Sequence, residues 1–373
     1  MIYDVAIAGS GPAGSVAAYF LAQKGLRVAL LDIPNEQRPK IGESLPAATK
    51  ILLQKIGLSD IVLNVPSLES VGNWSAWNSD EIYSRDSLSS PYGNGFHVDR
   101  NQFDSVLREK AIAMGAEFYA TRVQKVTKTQ DSFQIKTKLG EIYSYFLIDA
   151  TGRSASIARR LGAKKMRDDN LVALYQFLQN AADTQPNVTL IEACPVGWWY
   201  ACSLPDHRSI VSLQLDLDHA KLLRNKPQLW LSELEKTKHI RKMTNGITFT
   251  PKPQLTEACG SRLDHCMGQG WLAVGDAAMA FDPLSSQGMY NAIYSGFKGG
   301  SAVFAYLNGN TTALEEYAER LDAIREAYLL HHRYFYRTET RWKTEDFWRR
   351  RYLGVGSSSV TPLRERLISE SLV

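Results

Sequence analysis

The chain has 373 residues, 44% hydrophobic and 22% charged, the make-up of a globular protein long enough for two or three domains around large buried cores. A formal net charge of +4, with the excess cations gathered toward the C-terminus, provides no distributed phosphate-binding surface and argues against nucleic acid as a partner. Cys194, Cys202, Cys259 and Cys266 stand apart without CxxC spacing or a histidine cluster, so they read as free thiols rather than a disulfide framework or a metal centre.

Residues 2–8 form a short, mostly apolar run, as expected of a parallel strand buried on both faces. The apolar stretch 5–22 follows Asp4 rather than a basic segment and is interrupted by three glycines, so it does not read as a signal sequence. No other stretch approaches a membrane span, and a cytoplasmic protein without membrane association is expected. The first strand ends in Gly9-Ser10-Gly11-Pro12-Ala13-Gly14, a small-residue helix is expected over 15–23 with Gly25 as its stop, and a second apolar strand over 27–31 ends at Asp32. Gly9 permits a tight turn, Gly11 lets backbone approach a pyrophosphate, and Gly14 permits close helix–strand packing. Asp32, 23 positions after Gly9, stands where an acidic side chain accepts hydrogen bonds from an adenosine ribose. Strand, glycine turn, helix, second strand and acid together define a dinucleotide-binding unit.

Two later apolar strands end in polar segments: 146–148 leads into Asp149-Ala150-Thr151-Gly152-Arg153, and 271–274 into Gly275-Asp276-Ala277-Ala278. Such residues collect at the carboxyl edge of a sheet, where open α/β folds bind ligands. Between them, residues 171–250 carry period-two stretches such as 209–215 and read as an inserted antiparallel sheet. Helices are expected from 292 to 307 and from 312 to about 352, the second opened by a capping box of Thr311 or Thr312 with Glu315. Tyr328, Phe335 and Trp342 recur at seven-residue spacing, which places them on one helix face, and Arg349-Arg350-Arg351 offer either a helix C-terminus or a docking surface.

With these motifs in place the chain resembles the flavoprotein monooxygenase superfamily, in the branch that contains flavin-dependent halogenases, geranylgeranyl reductases and the LodB-like maturation flavoproteins of quinone-cofactor oxidases. The resemblance covers nearly the whole length and implies an α/β fold: a Rossmann-type FAD-binding domain with an inserted, mostly antiparallel substrate domain and a C-terminal helical region. The expected division is 1–75, 95–165 and 260–310 for FAD, 76–94 and 166–259 for substrate, 311–356 helical, and 357–373 a loosely ordered tail. The segment at Asp149 resembles the family's DG motif, and Gly275-Asp276 its GD motif, whose aspartate contacts the ribityl and diphosphate region. Asp282-Pro283-Leu284-Ser285-Ser286-Gln287-Gly288-Met289 resembles the turn that aims a helix N-terminus at the flavin ring. Lys40-Ile41-Gly42-Glu43-Ser44 resembles the GES segment over that ring, and Asp99-Arg100 the arginine segment of the cofactor channel. The cofactor set is therefore Gly9, Gly11, Pro12, Ala13, Gly14, Asp32, Ser44, Arg100, Gly275, Asp276, Pro283, Gly288 and Met289.

Ser70 stands where the halogenases carry a lysine, and Tyr200-Ala201-Cys202-Ser203-Leu204-Pro205 replaces their WxWxIP motif, so halogenation is disfavoured. Gly197-Trp198-Trp199-Tyr200 with Leu204-Pro205-Asp206, and the tail Arg341-Trp342 with Phe347-Trp348, resemble the LodB-like group. That group implies hydroxylation of a tryptophan in a precursor of a quinone-cofactor oxidase, which would be the protein partner. A hydroxylase or reductase of a small aromatic or isoprenoid substrate, and a flavoprotein that only binds the precursor, remain open. Trp74, Trp77, Trp198, Trp199 and Tyr200 are candidates to line the substrate pocket, and Glu43 and His97 are candidate acid–base groups because they lie in segments placed near the flavin. No second GxGxxG occurs, so the reductant is either transiently bound NAD(P)H or reduced flavin from a separate protein.

Overall fold

The computed structural model describes residues 2–34, 38–86, 91–179, 186–244, 249 and 252–353. The first strand, Ile2–Ala8, pairs in parallel with Val28–Leu31 on one side and Gly140–Asp149 on the other, and Val5, Ala6 and Ile7 are wholly buried. Trp271–Ala273 and Glu117–Tyr119 extend the parallel array at its two sides. The register is what matters for function. Ala8 faces both Leu31 and Asp149, and Asp149 faces Ala273, so the glycine turn, Asp32, the DATG segment and the GDAA segment all leave the sheet at one edge. Helix α1 (Pro12–Gln23) begins three residues earlier than the pattern predicts, because proline at its start has the φ a first turn needs and its missing N–H is not required there. It stops at Gly25, whose φ of +82° turns the chain while its N–H bonds to the Ala22 carbonyl.

A second, seven-stranded sheet runs in the order Gln254–Glu257, Leu171–Gln179, Arg208–Asp216, Gly197–Leu204, Val188–Cys194, Gly72–Ala76, Tyr83–Asp86. Gly72–Ala76 lies in parallel beside Val188–Cys194, which corrects the expected boundary at residue 75: the chain crosses to this sheet at Gly72. The strands expected throughout 171–250 stop at Asp216, and three helices, Leu217–Asn225, Pro227–Glu235 and Ile240–Met243, follow. Their Ala220, Leu223, Trp230, Leu234 and Ile240 pack on Trp199, Val211, Leu213 and Leu215, closing one face of the sheet.

Helix α2 (Gly288–Leu307) lies directly against α1: a Cβ at Gly296 would sit 2.3 Å from the Ala13 carbonyl oxygen, so only glycine permits the contact. The long helix expected to reach residue 352 is two helices, α3 (Ala313–Thr338) and α4 (Asp346–Leu353). The break follows from Glu339, which is wholly buried and accepts the backbone N–H groups of Asn78 at 2.6 Å and Arg341 at 2.9 Å, fixing the chain to the second sheet's hairpin. Tyr328, Phe335 and Trp342 therefore share no single face, and Phe335 is half exposed. The expected capping box is absent too. The Thr312 hydroxyl lies between two acceptors, Asn310 Oδ1 at 2.9 Å and Glu316 Oε1 at 2.7 Å, to one of which it donates, rather than accepting a backbone N–H. The expected tail, 357–373, lies outside the described residues. No helix among the described residues is long and apolar enough to cross a membrane.

Candidate active site

At the common edge of the first sheet the glycine turn is shaped by two close approaches. A Cβ at Gly9 would lie 2.2 Å from the Ala150 carbonyl oxygen, and one at Gly14 would lie 1.9 Å from the Gly9 carbonyl oxygen. At Gly11, by contrast, a Cβ would meet nothing within 4 Å. That open space adjoins the N-terminus of α1, where no side chain caps the helix and no acidic residue occupies the first turn, so its unpaired N–H groups suit a diphosphate. Asp32 accepts from Ser10 N at 2.8 Å, Ser10 Oγ at 2.9 Å and Ile33 N at 2.7 Å. A carboxylate has about four lone-pair sites, so one remains for a ribose hydroxyl. Ala13 is the nearest neighbour of Gly275, joining this turn to the GDAA segment. Asp276 is partly exposed and held 3.5 Å from Arg153, whose guanidinium also donates to the carbonyls of Cys259 and Phe281. The turn before α2 is a single 3-10 turn, Pro283–Ser285, capped by the Asp282 carboxylate on Leu284 N at 2.8 Å. A Cβ at Gly288 would meet nothing within 4 Å, α2 carries no side-chain cap, and Met289 is buried behind it. Two uncapped helix N-termini, a ribose-competent acid and an open glycine on one edge fit a dinucleotide with a second polar end, as FAD has.

Across from this edge, Lys40–Ser44 is tied down by Arg100, which donates to the Ile41 and Gly42 carbonyls at 3.2 and 2.9 Å and pairs with Asp104 at 3.3 Å. Lys40 also pairs with Asp104, at 3.0 Å. Ser44 faces His97 across two short strands. Glu43, His97, Tyr200 and Cys202 are gathered into a buried polar cluster: Tyr200 donates to Glu43 Oε1, Gly42 N donates to Glu43 Oε2 at 2.8 Å, and the Ser44 and Tyr200 hydroxyls are 3.0 Å apart. The Cys202 sulfur lies 3.2 Å from the Tyr200 oxygen and 3.6 Å from Glu43 Oε1. Burial first, then the Cys202 thiol and the Glu43 carboxylate, push the Tyr200 hydroxyl well above its ordinary value, and burial with Glu43 does the same to the Cys202 thiol, so both stay protonated. His97 Nε2 is 3.0 Å from the Thr189 hydroxyl, and burial holds its imidazole below the ordinary value, against the pull of Glu43, and therefore neutral.

The tryptophans expected to line a substrate pocket do not meet at this cluster. Side chains alternate along Gly197–Leu204, so Trp198 and Tyr200 point to one face and Trp199 to the other. Trp199 packs at a tilt against Trp230 with ring centroids 5.3 Å apart, beside Trp74, under the helices that close the far face. Trp198 is wholly buried among Trp77, Tyr336 and Trp348, and its Nε1 donates to Tyr336 Oη at 2.9 Å. Trp198 and Trp199 are thus core aromatics, Trp74 is half-buried against the same core as Trp199, and Tyr200 hydrogen-bonds the GES segment. The sequence alone does not single out Arg153, Cys202, His332 or Tyr336. Only Arg153 carries a local signal, directly after the DATG turn.

A flavoprotein architecture follows: a nucleotide sheet with a parallel core, and a second, mostly antiparallel sheet whose Tyr200 reaches the GES segment. The chain belongs to the FAD binding domain family, whose model matches residues 2–329, and it is a flavin-dependent oxidoreductase. It is 27% identical over 360 residues to LodB of Marinomonas mediterranea, described as an FAD-dependent oxidoreductase, with 94% of this chain and 97% of LodB covered. The fold is shared with CmlS, a flavin-dependent halogenase (TM-score 0.82, 23% identity, 96% of this chain and 68% of CmlS). It is also shared with the peptidyl tryptophan dihydroxylase QhpG, which is essential for tryptophylquinone cofactor biogenesis (TM-score 0.74, 22% identity, 96% of this chain and 81% of QhpG).

Proposed function

We propose that this chain is an FAD-dependent monooxygenase that hydroxylates a tryptophan side chain of a partner enzyme's precursor during tryptophylquinone formation. The match to LodB over 94% of this chain supports the flavin-dependent oxidoreductase part of the reading, and the fold shared with a peptidyl tryptophan dihydroxylase supports tryptophan as the group acted on. FAD, when bound, supplies the oxygen-activating chemistry. The protein's share is to hold the cofactor on the α1 and α2 N-termini, exclude water and keep a proton available. Tyr200 Oη, beside the Glu43 carboxylate, is the atom that holds this proton.

The test is mass spectrometry of the precursor after incubation with the reduced holoprotein and oxygen: one tryptophan should gain one or two oxygen atoms. Glu43→Gln should keep its FAD yet slow that gain by about 10²–10⁴-fold, the usual contribution of a positioned acid–base group. An unmodified precursor alongside oxygenation of free aromatic compounds would sink the proposal. Ser70 ends the strand Ser67–Ser70, which contains no lysine. Ser70→Lys should still give no halogenated product with chloride and reduced flavin, since one amine lacks the surrounding groups that would orient it. Chlorinated tryptophan from the unaltered protein would overturn the exclusion of halogenation.

A further inference from the structure

Tyr328, His332 and Tyr336 stand at four-residue intervals on α3 and so share one face of the helix. All three reach one residue, Asp282, which opens the turn into α2. The Tyr328 hydroxyl accepts the Asp282 backbone N–H at 3.0 Å. The Asp282 carboxylate accepts from His332 Nε2 at 3.1 Å, from the Tyr336 hydroxyl at 2.8 Å and from Leu284 N at 2.8 Å. Asp282 and Tyr336 are each 1% exposed. Burial works to raise the Asp282 pKa, but the bonds from His332, Leu284 and Tyr336 hold it below the ordinary carboxylate range. An ionised carboxylate can only accept, so Nε2 of His332 carries the proton.

Capping a three-residue turn does not require a buried charge, because serine or asparagine would accept the Leu284 N–H equally well. Burying a carboxylate is costly unless its partners are well placed. Here the partners sit on a different element, about 50 residues on in the chain, and the turn they grip leads directly to the N-terminus of α2. We propose that His332 and Tyr336 are positioning residues that, through Asp282, set where the α2 N-terminus stands relative to the flavin ring and so tune the bound flavin. The proposal rests on the reading that α2 points at that ring. It does not depend on tryptophan being the substrate.

The expected effects follow from the field of the helix N-terminus, which favours the negatively charged reduced flavin. If the turn loosens, the reduced form loses more than the oxidised form, and the midpoint potential falls. His332→Leu and Tyr336→Phe each remove one hydrogen bond to a charged group, so each should weaken FAD binding to the apoprotein by roughly tenfold. Each should also lower the flavin midpoint potential measured by dye-coupled reduction. His332→Gln, whose amide replaces the imidazole donor, should restore both quantities toward those of the unaltered holoprotein. Folding is followed separately by thermal melting of the apoproteins. A lower melting temperature with unchanged potential and FAD affinity in His332→Leu and Tyr336→Phe would make the ladder a purely structural brace and overturn the proposal. So would failure of His332→Gln to differ from His332→Leu. Because no tryptophan substrate enters these measurements, a shifted potential in an enzyme that does not modify the precursor would leave the inference standing while the proposed function fell.

Discussion

Gly11→Val should yield a folded but colourless protein. The Gly11 backbone has φ −70°, which any residue adopts, and a Cβ there meets nothing within 4 Å, so the apoprotein has no steric reason to unfold. The same branched side chain projects into the space before the unpaired N–H groups of α1, where the diphosphate must sit. FAD content should fall by more than about tenfold, while apoprotein stability changes by about 0.5 kcal/mol or less. Gly14→Val is the informative contrast. Its Cβ would lie 1.9 Å from the Gly9 carbonyl oxygen, a backbone atom that cannot step aside, so that variant should lose fold and flavin together. Asp276→Ala should weaken FAD binding less severely, because it removes one partly exposed carboxylate and leaves Arg153 bound to two carbonyls. Stoichiometric FAD, read from the visible spectrum of purified Gly11→Val, would refute the placement of the diphosphate.

The nucleotide edge was legible because its information is local. Strand, turn, helix, strand and acid span residues 2–32, and each residue type answers a backbone requirement within that span. Long-range pairing is a different matter. Trp198, Trp199 and Tyr200 are adjacent in a strand, and their separate fates depend on what covers each face: Trp230 on one side, Tyr336 and the GES segment on the other. An aromatic run cannot announce which of its members is core. The C-terminal helices show the same limit more sharply. Seven-residue spacing links Tyr328, Phe335 and Trp342, yet the residues that engage the turn before α2 are spaced by four, and the helix breaks at Glu339 because its carboxylate finds Asn78 in a distant hairpin. Acid–base candidates fared in between. Glu43 and His97 do lie in one buried cluster, but the hydroxyl and thiol that complete it, Tyr200 and Cys202, come from a strand more than 100 residues away from either in the chain.

Arg351→Gln should be among the most destabilising single changes outside the core hydrophobics. The three consecutive arginines on α4 have unequal surroundings. Arg349 is 56% exposed and pairs with exposed Asp346, Arg350 is 57% exposed and pairs with Asp216 at 2.7 Å, and Arg351, 5% exposed, pairs with Asp169 at 2.6 Å and Asp216 at 3.0 Å. A docking surface made of all three is therefore ruled out by geometry, since Arg351 is buried among inward partners, whereas Arg349 and Arg350 both remain more than half exposed. Removing one member of a buried ion pair costs about 3–5 kcal/mol. Because Arg350 still satisfies Asp216, the lower end of that range, about 3 kcal/mol, is expected here. The stranded group is Asp169, whose pKa is already raised by burial despite the nearby arginine. Loss of Arg351 raises it further. An acid whose folded-state pKa exceeds its unfolded value binds more protons when folded, so stability falls as pH rises through that window. The penalty should accordingly be full at neutral pH and shrink as pH falls through the raised Asp169 pKa toward the ordinary carboxylate value. Urea unfolding of the variant and the unaltered protein at several pH values measures it directly. Arg349→Glu, changing an exposed pair, should shift stability by less than about 0.5 kcal/mol at any of them. A pH-independent difference between Arg351→Gln and the unaltered protein would mean that Asp169 is not the group left uncompensated.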